Sequence, residues 1–151
     1  MPDGATIKHL MVLVDGTEAS FRAVDFALDL ATMIQARVTA LAVVETETLK
    51  QLLKVRILAP SEMSEFEDEL RQNCERALKE VAERAKVKEV EVECVLASGN
   101  SEVIVPREVE ERGVGLFVLG KFECARAMRD LVARQRQQIV DRAPCHILVV
   151  K

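Results

Sequence analysis

Leu116-Phe-Val-Leu-Gly120 is an apolar run closed by a glycine, and Arg142-Ala-Pro-Cys-His-Ile-Leu-Val-Val150 is a proline stop followed by a second apolar run. Between them, residues from about Cys124 to Arg142 have the length and composition of a helix, rich in arginine and glutamine. Strand, glycine turn, helix and strand in this order form the repeating unit of a parallel sheet, whose strands are apolar on both faces because helices cover both. Gly120 also opens the way to a loop that cradles a phosphate at a helix N-terminus. The glycines such a loop needs further along are missing.

The rest of the chain repeats the unit. Ile7-Lys-His-Leu-Met-Val-Leu-Val14 reads as a buried strand, with His9 a partly exposed edge residue before its core. Asp15-Gly16 ends that strand, and Thr17 is placed to cap a helix with Val24, Ala27, Leu28, Ala31 and Ile34 on one face. Arg37–Val44 is a second strand, and Glu45–Lys54 has the makings of a short helix before Pro60. From Ser61, Met63, Phe66, Leu70, Cys74, Ala77, Val81 and Ala85 recur at helical spacing. Val90, Val92, Cys94 and Leu96 alternate with mostly charged residues, as in a half-exposed strand. Asn100 or Ser101 can cap the next helix, which either kinks or restarts at Pro106 and closes at Gly113. Val114–Leu119 is the fourth strand and Cys145–Val150 the fifth. The alternation predicts one α/β domain over residues 1–151, a doubly wound five-stranded parallel sheet with helices on both faces. Ligands of such sheets lie beyond the carboxyl ends of the strands where the winding reverses, which makes Asp15 and Gly120 candidates.

Composition narrows the function. A net charge of −4 argues against nonspecific nucleic-acid binding, and the arginines of the last helix have no aromatic platform among them. No apolar stretch approaches the roughly 20 residues that cross a bilayer, and the N-terminus lacks the order of a signal peptide, so a soluble cytoplasmic protein is expected. Cys74, Cys94, Cys124 and Cys145 are dispersed, without Cys-x-x-Cys spacing, and read as buried reduced thiols. With only His9 and His146, neither a metal site nor acid–base catalysis is expected, and no serine has a histidine placed with it by motif.

Val12-Leu-Val-Asp-Gly16 followed by Thr17-Glu-Ala-Ser20, Val95-Leu-Ala-Ser-Gly-Asn100, Gly115-Leu-Phe-Val-Leu-Gly120 and Arg142–Val150 are similar, in this order and spacing, to the universal stress protein family. The resemblance covers essentially the whole chain. It implies a Rossmann-like fold of the adenine nucleotide alpha hydrolase-like kind. It also implies, for members that bind ATP, Gly-x-x-Gly, nine residues, then Gly-Ser or Gly-Thr. Counting from Gly120, those positions fall on Gly120, Glu123, Ala133 and Arg134, so one of four is kept. Glu123 brings a negative charge to where phosphates would lie, and like charges at ~4 Å repel by about 4 kcal/mol at an effective dielectric of 20. Arg134 removes a hydroxyl but offers a guanidinium fork. Glu123 and Arg134 can pair and plug the site, Arg134 can hold another anion, or the two are unrelated surface residues.

The resemblance further implies that Asp15 is the carboxylate beside a nucleoside and that Val43 or Val44 lies where adenine would rest. The residues alone allow Asp15 to cap its helix with Thr17, and the valines to be core. The expectation is a regulatory or interaction protein of the stress response, not an enzyme and without a cofactor. The alternative is a nucleotide-responsive member holding ATP or AMP through Asp15, Val43, Gly120, Arg134 and a rearranged loop. As the last strand, Cys145–Val150 should lie at a sheet edge, where the family often pairs it across a two-fold axis, so a homodimer is expected.

Overall fold

The computed structural model describes residues 6–55, 59–121 and 129–151. Five parallel strands, β1 (His9–Leu13), β2 (Arg37–Val44), β3 (Val92–Ser98), β4 (Leu116–Gly120) and β5 (His146–Val150), lie in the order β3-β2-β1-β4-β5. The described helices are α1 (Glu18–Ile34), α2 (Thr46–Lys54), α3 (Pro60–Val87), α4 (Ser101–Arg112) and α5 (Arg129–Arg142). This is the doubly wound sheet that the alternation of apolar runs predicts.

The pleat divides the core in two. Leu10, Val12 and Val14 of the first strand segment face α1 and α3, where they meet Val24, Leu28, Leu78 and Val81. Met11 and Leu13 face the opposite side with Ile104, Val105, Phe117 and Ile139. Successive side chains point to opposite faces, so a strand covered on both sides must be apolar at every position. β4 meets that condition throughout and β1 at every position after His9, and each is buried along its whole length.

Charged pairs tie α1 to α3: Arg84 reaches Asp25 at 2.7 Å and Lys88 reaches Asp29 at 2.7 Å. The Arg84 guanidinium also lies 4.8 Å from the centre of the Phe21 ring. The stripe expected along α3 is buried only in its second half, at Ala77, Val81 and Ala85, joined there by Leu78, while Phe66 is exposed. Pro60 is the first residue of α3, where its missing N–H costs nothing. Asn100 caps α4, its side chain accepting from the Glu102 N–H, and the helix runs through Pro106 without restarting. Cys94 is exposed because β3 is an edge strand, while Cys74 and Cys145 are half-buried; Cys124 lies outside the described residues.

His9 is not a partly exposed edge residue. It opens β1 at the middle of the sheet and is 5% exposed. One ring nitrogen, Nδ1, lies 3.0 Å from the Arg112 carbonyl, which can only accept; Nε2 lies 2.7 Å from Thr39 Oγ1. Both polar ends of the ring are thereby satisfied in the neutral form with the proton on Nδ1. Burial holds the imidazole below its ordinary value of 6.5, and the positive charges of Arg37 and Arg112 act in the same direction. A group whose pKa is depressed on folding loses its stabilising contribution as pH falls through the window below the unfolded value. Urea denaturation of the wild type should therefore show stability declining from about pH 6.5 downward. In His9→Gln that part of the slope should be reduced; an identical slope in both proteins would exclude His9 as its source.

Candidate functional site

The winding reverses between β1 and β4, so the crevice of this fold lies beyond the carboxyl ends of those strands. The Asp15-Gly16-Thr17 turn that leaves β1 is fixed locally. Thr17 Oγ1 accepts from the Ser20 N–H, the N-cap of α1, while Asp15 Oδ1 accepts from both the Thr17 N–H (3.0 Å) and its hydroxyl (2.6 Å). Gly16 takes φ +83°, a conformation that few residues with a Cβ tolerate. Asp15 thus does help cap its helix, with one carboxylate oxygen.

The other oxygen faces α5. Arg136 Nη2 donates to Asp15 Oδ2 at 2.9 Å. One residue earlier on the same helix, Gln135 Nε2 donates to Glu45 Oε2 at 3.0 Å. Glu45 follows β2 directly, and its second oxygen accepts the hydroxyl of Ser101, the first residue of α4. Two adjacent side chains of α5 therefore reach the carboxyl ends of two adjacent strands, and Glu45 joins α5 to α4. Every buried side-chain nitrogen and oxygen among the described residues has a partner.

Glu45 carries the clearer electrostatic signature. Burial pushes its carboxyl above the ordinary value of 4.5; the hydrogen bonds from Ser101 and Gln135 oppose this, and nearby Glu102 adds to it. A hydrogen bond to a charged group contributes roughly 1.5–3 kcal/mol, against the cost of desolvating that charge. The Asp15–Arg136 pair is more open, with side chains 37% and 17% exposed respectively. Pairs of that kind contribute about 0.2–1 kcal/mol. The stronger anchor of the two is Glu45.

Gly120 ends β4 and has a structural reason to be glycine. A Cβ there would stand 2.4 Å from the Ala19 carbonyl oxygen and 2.6 Å from its carbon, both backbone atoms of the first turn of α1. The missing side chain is what lets α1 close on the sheet. Val43 is half-buried on the α4/α5 side of the sheet, and its carbonyl lies 3.7 Å from Cys74 Sγ; Val44 is fully buried. Arg134 is exposed and pairs with no described residue, and Glu123 lies outside the described residues. The residue that enters the crevice is Arg136, two positions beyond the one the motif count singled out. Neither Glu45 nor Gln135 belongs to that motif. The signal for Glu45 was its place, a carboxylate directly after a buried strand, as Asp15 is after β1.

Among the described residues, no group of three or more His, Cys, Asp or Glu side chains is arranged to hold a metal ion, and no helix is long and apolar enough to cross a membrane. Burial pushes the Cys74 and Cys145 thiols up, away from the reactive thiolate.

With the fold and crevice in place, comparison defines the class: the chain belongs to the universal stress protein family, whose model matches residues 6–151. It is 29% identical over 147 residues to a protein named as a universal stress protein in Staphylococcus haemolyticus, covering 97% of this chain and 86% of that one. Among solved structures it is similar to the universal stress protein UspA from Lactobacillus plantarum, with a TM-score of 0.78 and 22% identity, covering 97% and 99% of the two chains. It is also similar to a universal stress protein family protein from Arabidopsis thaliana with AMP bound, with a TM-score of 0.64 and 15% identity, covering 95% and 91%. At these identities the structural likeness concerns the fold.

The side-chain donors of Gln135 and Arg136 are engaged by Glu45 and Asp15.

Two substitutions test the geometry. Gly120→Ala should destabilise the protein by about 1–3 kcal/mol, the usual cost of overpacking, because the clash is with backbone. An unchanged melting temperature would contradict the contact with Ala19. Glu45→Ala should cost about 1–3 kcal/mol by leaving the Ser101 hydroxyl and Gln135 amide without their acceptor, and Glu45→Gln should cost less. An acid whose pKa is raised on folding stabilises below its unfolded value and loses that contribution as pH rises through the folded value. Wild type should therefore gain on Glu45→Gln as pH falls from neutrality toward 4.5. Parallel pH profiles would contradict the burial of a charged Glu45.

Proposed function

We propose that this universal stress protein is a small regulatory or interaction protein of the stress response, working as a homodimer and without binding ATP in the family manner. The observation that carries the part on ATP is the filling of the crevice from within, by Arg136 on Asp15 and Gln135 on Glu45. Loss of three of the four motif positions, at Glu123, Ala133 and Arg134, supports the same reading. Of Asp15, Val43, Gly120 and Arg134, the residues expected to line a residual nucleotide or anion crevice, Arg134 yields its place to Arg136 in this reading. In this reading Asp15 is engaged with Arg136, and Gly120 serves the packing of α1.

The alternative, a nucleotide-responsive protein that holds ATP or AMP through a rearranged loop, draws support from the AMP-bound Arabidopsis relative. Calorimetry separates the two. With ATP or AMP and Mg²⁺, the proposal predicts no binding tighter than roughly 100 μM, about −5.5 kcal/mol. Submicromolar affinity would overturn it. No arrangement of nucleophile, base and oxyanion donor stands out among the described residues, and a non-enzymatic role is part of the proposal.

The homodimer rests on the place of β5. It pairs with β4 on one side, stands last in the sheet order, and exposes Val149 by 49%. An edge of this kind, with free backbone groups and apolar side chains, is suited to pairing with a second copy. Size exclusion with light scattering should give twice the 16.8 kDa chain mass, and Val149→Lys should shift the protein toward monomer. A wild type that stays monomeric at micromolar concentration would contradict this part of the proposal.

A further inference from the structure

We propose that the flank of α1 carrying Phe26, Leu30, Met33 and Ile34 is a second contact surface of the homodimer, covered by the other copy where the two β5 strands meet. This rests on the homodimer through β5 and adds to it the apolar surface that a strand pair alone lacks.

The four residues stand at i, i+4, i+7 and i+8, so they fall within about 100° of one side of the helix. Phe26 is 46% exposed, Met33 80% and Ile34 39%, while Leu30 is half-buried against the core cluster of Val24 and Leu28. A single exposed apolar side chain is ordinary, but an aligned set of them marks a contact surface. The opposite flank of α1 is the one that meets α3, through Asp25 on Arg84, Asp29 on Lys88 and the Phe21 ring beside Arg84. Between Ala23 and Ile34 those two aspartates are the only charged residues, and both are turned to α3. The flank away from α3 is therefore apolar and uncharged.

That flank borders the β5 edge. α1 touches β5, and Leu30 packs against the same cluster as Leu148 and Val150, which leave β5 on the α1 face. No described strand lies beyond β5 to carry a further covering layer. A second copy joined to β5 by a two-fold axis continues the sheet and brings its own α1 to the same side. Such an axis sets each patch against its own copy, so a charge near it would meet its like, and an uncharged flank meets no such penalty. Extent argues the same way. A five-residue strand is about 17 Å long, and an edge of that length and roughly 10 Å deep presents on the order of 200 Å². Stable interfaces bury about 800 Å² per partner, so strand pairing needs a neighbouring apolar surface, and this flank is the one beside it.

Sedimentation equilibrium on the full chain tests the contact by reading the dimer dissociation constant. The proteins are wild type, Met33→Glu, Phe26→Glu/Met33→Glu and Val149→Lys, with Val87→Glu as a control on α3, where Val87 is 85% exposed. Each substitution enters a two-fold contact twice, so Met33→Glu should weaken the dimer at least about tenfold and the double variant further. Val87→Glu should match wild type. Circular dichroism checks that each variant is folded; should the double variant fail to fold, Met33→Glu, at an exposed side chain, decides alone. A dimeric wild type whose dissociation constant is unchanged in the folded α1 variants overturns the α1 contact. If Val149→Lys weakens that dimer, the β5 homodimer stands without it. A monomeric wild type overturns both.

Discussion

Strand β1 has water on neither face, and the rest of the molecule is organised by that constraint. Leu10, Met11 and Val12 are completely buried, one set of side chains going to the α1/α3 layer and the other to the α4/α5 layer. A strand so covered needs a neighbour on each edge, and β2 and β4 supply them. The reversal of winding then falls between β1 and β4, which puts Asp15 and Gly120 side by side at the carboxyl end. The same constraint acts at the amino end. A histidine that begins this strand must be neutral and fully hydrogen-bonded, as His9 is through Thr39 and Arg112.

At the carboxyl end, packing and polarity divide the work. Gly120 brings the backbone of β4 against the first turn of α1, so that the α1 layer closes. On the other layer, α5 closes through Gln135 and Arg136. Two carboxylates at the tops of adjacent strands would repel each other and any anion, and the chain meets them with its own donors. Among the described residues at this end, the carboxylates of Asp15 and Glu45 are acceptors already satisfied by Arg136, Gln135 and Ser101.

Much of this was legible in the sequence. Apolar runs marked β1, β2 and β4 because burial on both faces leaves few polar positions, and Thr17, Asn100 and Gly113 act at the helix ends as their chemistry suggests. His9 was misread because the apolar run strengthens after it, although the strand begins with it and sits centrally; order in the sheet is a tertiary property. Arg134 was singled out by motif counting. Residues 134 and 136 point about 200° apart around a helix, and which of them faces the crevice is set by how α5 is rotated on the sheet. That rotation follows from packing of residues such as Ile139, which spacing alone does not give. Glu45 escaped notice for a related reason: a carboxylate in a charged stretch reads as solvated until the neighbouring helices close over it.

In the proposed reading Arg136 and Gln135 fill the crevice in place of a ligand. Side-chain resonances report on it most directly: the Arg136 Nε–H and the Gln135 amide, followed by NMR as AMP and Mg²⁺ are added to millimolar concentration. Neither signal should move. A saturable shift of both, accompanied by backbone shifts around Gly120, would show a nucleotide displacing them and would contradict it.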